Sequence, residues 1–209
     1  MTEYKLTDES IKVDGKTLYR IELTKNHMVH GREGTKGGYI ESTKNLTGNA
    51  FVYDKAKVYG KAVVTNNARV FGYAKVFDNA KVSGKARVSG NAEVLENAKV
   101  SDNAWVSGET KVYGNAQVYG ASQIYDEAKV FGKAKVFGYA EIYDKSQVFG
   151  DAQVFDEAKV YDEARVFEKA KVSGKAKVFD YAKVYEGSKV SGKANVSGNT
   201  RVLGNEKVS

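Results

Sequence analysis

Every sixth residue over 40–208 is Val, Ile or Leu, twenty-nine positions without a phase slip, and all are Val except Ile40, Leu46, Ile124 and Ile142. A spacing of six does not line one face of a helix that turns about every 3.6 residues. It does fit short strands that return one side chain inward per unit. The ladder takes up about four fifths of the 209 residues, so little room is left for a grafted catalytic site. Length alone allows one or two domains. The single period selects one solenoid over residues 40–209, preceded by a distinct cap of hairpin and loop over residues 1–39.

Aligned on the aliphatic residue, the unit reads Val, aromatic or Ser, Gly/Asp/Glu/Asn, a variable polar residue, Ala and usually Lys, as in Asn97-Ala98-Lys99-Val100-Ser101-Asp102. Two places before the aliphatic residue, Ala fills twenty-one of twenty-six positions over 50–200, with Thr110, Ser122, Ser146, Ser188 and Thr200 at the rest. Residues two apart share one side of a strand, so Ala and Val point inward while Lys and the aromatic point outward. Gly fills the bend in fourteen of twenty-six hexads, where the backbone takes positive φ most easily. Every hexad carries the same pattern in the same direction, which argues against hairpin pairing of successive strands. Three hexads per triangular turn would place each strand over the one eighteen residues earlier, in parallel, with Val stacked on Val. The predicted fold is all-β: a three-faced parallel β-helix of about nine turns, each about 4.8 Å high, on the order of 45 Å long.

The hexad resembles that of the hexapeptide-repeat, left-handed parallel β-helix superfamily, whose two inward positions are held here by Val and Ala. The resemblance runs from about residue 40 to the end and implies a left-handed coil, although parallel crossovers are otherwise overwhelmingly right-handed. The chain departs from the family unit next to Val. Aromatic or Ser stands where a small or acidic residue is usual, and Gly or Asp comes one place later. Before the repeat, residues 11–13 and 17–23 flank Asp14-Gly15, the signature of a tight β-hairpin, which would cap the open end. Residues 27–38 read as a polar, Gly-rich loop, and Gly37-Gly38-Tyr39-Ile40-Glu41 leads into the first rung. Hairpin and entry together resemble poorly characterised bacterial and prophage-encoded hexapeptide-repeat proteins. The far end stops in phase at Lys207-Val208-Ser209, and bare strand edges there are an expected place for end-to-end association.

Bulk properties narrow the setting. No run approaches the roughly 18 consecutive apolar residues of a membrane helix, and the first residues lack a signal-peptide pattern. With no Cys there is no disulfide framework. The expectation is a cytoplasmic protein, in the host cytoplasm if phage-encoded, with no membrane partner. A net charge of +7 favours acidic partners.

Catalytic readings find little support. The activity best known for the resembled superfamily is acyl transfer with a general-base His and extruded loops. Here the only histidines, His27 and His30, precede the repeat and read as solvated loop residues. The related carbonic anhydrases use three His to hold zinc, and this chain has two. The glycines recur at the corners and do not open a helix as a phosphate cradle would. Asp126, Asp144, Asp162 and Asp180 fall eighteen apart and form an acidic column, read as solvated edge markers, with Ca²⁺ binding the sharper alternative. No catalytic, cofactor-binding or metal residue is assigned.

Sorting outward positions by eighteen gives the candidate interaction surface. One face carries Tyr59, Phe77, Leu95, Tyr113, Phe131, Phe149, Phe167, Tyr185 and Leu203. Beside it run Lys57, Lys75, Glu93, Lys111, Lys129, Gln147, Arg165, Lys183 and Arg201, seven of nine basic. The second face carries Tyr53, Phe71, Tyr125, Tyr143, Tyr161 and Phe179 with Ser between, and the third only Tyr119, Phe137 and Phe155. Stacked aromatics stabilise a sheet unaided. An exposed strip of this length would nevertheless exceed the few hundred Å² usual on a monomer. Trp105, the only Trp, replaces the default Lys, as do Phe51 and Val63. The preferred expectation is a non-enzymatic structural or interaction protein, phage-associated by resemblance, that forms homo-oligomers or binds a partner. The alternatives are an inhibitor that sequesters a host protein, nucleotide, other anionic ligand or nucleic acid, the last disfavoured because Lys beside Val is the repeat's default, and, less favoured again, an acyltransferase.

Overall fold

In a computed structural model the described residues, 3–209, form thirty strands in three sheets and one 3-10 turn, Thr43–Asn45. β1 (Tyr4–Val13) and β2 (Lys16–Leu23) pair antiparallel around Asp14 and Gly15, whose φ values of 50° and 75° suit a two-residue hairpin turn. β3 (Lys36–Ile40) pairs antiparallel with β2 on one side and parallel with β5 (Lys57–Val58) on the other. The hairpin thereby extends one solenoid sheet to twelve strands. Ile21 and Leu23 of β2 join the core at the first turn, beside Phe51 and Val52.

Two boundaries differ from the sequence reading. β1 starts at Tyr4, well before residues 11–13, and Lys36, Gly37 and Gly38 are strand where a loop was predicted. The reason is close approach. A Cβ at Gly37 would stand 2.4 Å from the Val52 carbonyl oxygen, and one at Gly38 2.6 Å from that of Ala56. The glycines that read as loop are what lets β3 cross the mouth of the coil.

From β4 (Phe51–Val52) to β30 (Lys207–Val208), two-residue strands recur every six residues. Each but the last three pairs in parallel with the strand eighteen residues on, as Lys111 with Lys129 and Val112 with Val130. Three faces result: the first contains β5, the second begins at β4, and the third begins at β6 (Val63–Val64). Pairing continues through the bends. The Phe131 N–H donates to the Val148 carbonyl at 3.0 Å and the Lys133 N–H to the Gly150 carbonyl at 2.7 Å, so one turn satisfies much of the next turn's backbone. Inward Ala and Val lie at 0 % exposure through most of the coil, and each buried Val stabilises by about 1.5–3 kcal/mol relative to exposure. The inward hydroxyls differ among themselves. Ser146 Oγ lies 2.7 and 3.1 Å from the carbonyl oxygens of Tyr143 and Val160 and shares its one proton between them, whereas the buried Thr110 Oγ1 has no partner among the described residues.

The corners explain the alternation of Gly with acids. All twenty-six bend positions over 54–204 have positive φ, and the twelve that are not Gly are Asp, Glu or Asn66, with φ of 54–61°. An ordinary L-residue pays about 1–2 kcal/mol there. Ten of the acids recover part of this, because the carboxylate accepts the amide N–H of the corner residue eighteen positions on. Asp162 accepts from Asp180 at 3.1 Å, and Asp180 accepts from Gly198 at 2.8 Å. The acidic column therefore has a structural task that the solvated-edge reading missed. No group of three or more His, Cys, Asp or Glu among the described residues is placed to hold a metal ion.

Candidate interaction surface

Strand spacing dictates the aromatic geometry. Rings at one position of successive turns lie a strand apart, so they stack nearly parallel. On the first face Tyr113, Phe131, Phe149, Phe167 and Tyr185 form a continuous five-ring ladder with centroids 4.8–4.9 Å apart and planes within 3°. Leu95 separates it from the pair Tyr59–Phe77, stacked at 5.1 Å. Each ring covers its neighbour's face, so all five are half-buried and offer mainly their edges. Such pairs contribute about 0.5–1.5 kcal/mol each beyond area burial. Tyr59 lies apart from that surface: it is 3 % exposed and donates to Asp14 Oδ2 of the hairpin turn at 2.8 Å. Burial, then the Asp14 carboxylate, pushes its hydroxyl well above the usual tyrosine range.

The basic column is divided. Glu93 bridges Lys75 and Lys111 at 3.0 and 2.9 Å. Burial raises the Glu93 carboxyl, but the two ammonium groups more than offset this and hold it below the usual carboxylate range. Lys57, Lys129, Arg165, Lys183 and Arg201 make no ion pair among the described residues. Free positive charge is thus concentrated from Lys129 to Arg201, beside the five-ring ladder.

The second face carries a four-ring ladder, Tyr125, Tyr143, Tyr161 and Phe179, at 4.8–5.0 Å, and the third carries Tyr119, Phe137 and Phe155 at 4.9 Å. Burial, followed by the Tyr161 and Glu141 charges, raises the Tyr143 hydroxyl to about 12. Next to the second ladder, the acidic corner opens into a groove of about 550 Å³ lined by Asp126, Asp144, Asp162, Asp180, Glu127 and Glu163, among others.

Trp105 stands on the second face, away from the first-face stripe, paired in register with Arg87. Its indole N–H donates to Ser89 Oγ at 3.1 Å, and Ser89 is only 5 % exposed. The indole covers Ser89 at its gap in the second aromatic column, and it remains 40 % exposed.

The histidines correct the sequence reading most clearly. His30 is 6 % exposed, not solvated. Its ring stacks between His27, at 4.2 Å, and Phe51, at 5.1 Å. Nε2 lies 2.8 Å from the Asn49 carbonyl and Nδ1 2.5 Å from the Tyr53 hydroxyl. The carbonyl can only accept, so Nε2 donates, and neutral Nδ1 accepts from the tyrosine. Burial, then neighbouring charges that include His27 and Arg69, keep the ring's pKa below the ordinary histidine value, although the Asn49 bond opposes them. Both nitrogens are committed, which leaves His30 no lone pair for general-base work. The sequence did hold a clue to this packing: Phe51, whose ring stacks on His30, replaces the default Lys of its hexad.

No family model and no curated protein matches this sequence.

Proposed function

We propose that the protein is a non-enzymatic interaction protein, a stiff rod that docks acidic surfaces on its first face. The observation carrying this reading is the column of cations Lys129, Arg165, Lys183 and Arg201, interrupted once by Gln147 and without ion pairs among the described residues, beside a five-ring ladder that repeats at strand spacing. A matching partner has acids of the same pitch, and a second copy supplies them. Asp126, Asp144, Asp162 and Asp180 each commit Oδ2 to an amide, leaving Oδ1 to receive a cation. First face against acidic corner is a heterologous contact, which builds open stacks in preference to closed two-fold dimers. The resemblance to prophage-encoded proteins adds a phage-associated role in the host cytoplasm. The same free cations favour a second reading, in which an acidic host protein takes the place of the second copy and is sequestered.

Sedimentation velocity at low and high salt tests the proposal. It predicts association at low salt, screened at high salt. The association should be lost in Lys129→Glu/Arg165→Glu/Arg201→Glu and in Asp126→Asn/Asp144→Asn. A wild-type chain that stays monomeric at every salt concentration would overturn self-association, and association indifferent to both variants would overturn the assigned faces.

A further inference from the structure

A second feature, on the second face, does not depend on the proposed docking mode. Along the second face the residue before Val is Phe51, Arg69, Arg87 and Trp105 in four successive turns, and none is the default Lys. These are the turns beneath and beyond the segment that carries His27 and His30. That segment closes a concavity of about 290 Å³, with His27 and Val29 on its wall and Arg69, Arg87, Lys85 and Asn67 around it. The size falls just under the range of about 300–1,000 Å³ for drug-sized ligands and suits a smaller molecule.

The charge is unbalanced. Arg69 and Arg87 are in-register partners on adjacent strands, so their side chains leave the sheet a strand spacing apart. Among the described residues neither they nor Lys85 forms an ion pair, and no carboxylate lines the concavity. Where Arg165, Lys183 and Arg201 cluster on the first face, Glu163 stands among them. Exposed Lys would meet the needs of solubility at these rungs, as it does elsewhere on the coil. Two guanidinium groups side by side present forked N–H donors of fixed geometry, which suit an oxyanion with several acceptor oxygens. The wall is rigid as well, because His27 is stacked on His30, and His30 is anchored by Asn49 and Tyr53.

From this geometry we infer that the concavity binds a small phosphate monoester, its phosphate held by Arg69, Arg87 and Lys85 and its organic part set against His27 and Val29. Asn67 adds an uncharged amide at the rim, able to donate to the same oxyanion or accept from the organic part.

Isothermal titration calorimetry on the full chain at low salt tests this with three probes: adenosine monophosphate, inorganic phosphate and adenosine. The monophosphate is expected to bind more tightly than inorganic phosphate, and adenosine not at all at millimolar concentration. Arg69→Gln/Arg87→Gln should weaken monophosphate binding by about tenfold or more, the usual effect of losing charge-assisted donors. Lys85→Gln, at an exposed position, should weaken it with the fold untouched. Lys171→Gln/Lys189→Gln, an exposed in-register pair on the third face, removes the same charge elsewhere and should change affinity by less than about twofold. The inference is overturned if neither phosphate probe binds, if adenosine binds as well as its monophosphate, or if the third-face variant loses as much affinity as the Arg69/Arg87 variant.

Discussion

Replacing Asp162 separates the two tasks of an acidic corner. Its φ is 55°, and its carboxylate accepts the Asp180 N–H at 3.1 Å. In Asp162→Ala the bond is lost, costing about 1 kcal/mol, while the left-handed strain of a Cβ at this φ is the same in Asp and Ala. In Asp162→Gly the same bond is lost, but the strain disappears and only a greater chain entropy in the unfolded state opposes it. The expected costs are about 1 kcal/mol for Ala and about half that for Gly. For a chain of this length, Ala should then lower Tm by about 2–4 °C and Gly by about half as much. Hydrogen exchange supplies the local readout. The Asp180 amide has the Asp162 carboxylate as its acceptor, so it should exchange about tenfold faster in both variants. Gly as costly as Ala, or an Asp180 amide that keeps its protection in either variant, would refute the reasoning.

Other consequences follow from the interior and the ladders. Thr110→Val exchanges a buried, partnerless hydroxyl for a methyl group and should stabilise by about 1 kcal/mol, whereas Ser146→Ala removes a doubly bonded hydroxyl and should destabilise by about 0.5–1.5 kcal/mol; thermal denaturation of both variants checks the sign. The raised tyrosine hydroxyls make the fold alkali-sensitive. An unfolded tyrosine ionises near pH 10, while folded Tyr143 resists to about 12. Stability is therefore fully present below about pH 10 and falls as pH climbs through that window. Ultraviolet titration should show Tyr113, Tyr119, Tyr125, Tyr143 and Tyr161 ionising later than tyrosines of the unfolded chain, and Glu141→Gln should move the Tyr125 and Tyr143 transitions to lower pH.

Much of the architecture was legible because one residue type does one job. The Val ladder and the Ala two places before it set strand direction, inward face and the eighteen-residue register, and Asp14-Gly15 marked the hairpin turn. Gly37 and Gly38 misled because a strand that passes close to another backbone needs the same residue as a loop. The corner acids hid their task for a related reason: Asp and Gly are both tolerated at positive φ, and only the stacked turns show that the carboxylate reaches an amide eighteen residues away. The first-face stripe was visible as a pattern. The burial of Tyr59 under Asp14 and the pairing of Glu93 with two lysines needed the third dimension. The concavity at Arg69 and Arg87 was half visible. The break in the Lys default could be read from the sequence, but its meaning depended on where the segment carrying His27 and His30 folds.

Every surface described here exists only if residues eighteen apart are neighbours. The chain contains no cysteine, so engineered pairs report on this without background. Lys135 and Gln153 are in-register partners on the third face, at a strand spacing of about 4.8 Å, inside the Cα separation of about 4.4–6.8 Å that a disulfide spans. Gln147, twelve residues from position 135, lies on the first face. Under mild oxidation, intact-mass measurement should show Lys135→Cys/Gln153→Cys losing two hydrogens as a monomer, and Lys135→Cys/Gln147→Cys retaining both thiols. A bond in the twelve-residue pair, or none in the eighteen-residue pair, would contradict the three-faced register on which the ladders, the corner caps and the anion site all rest.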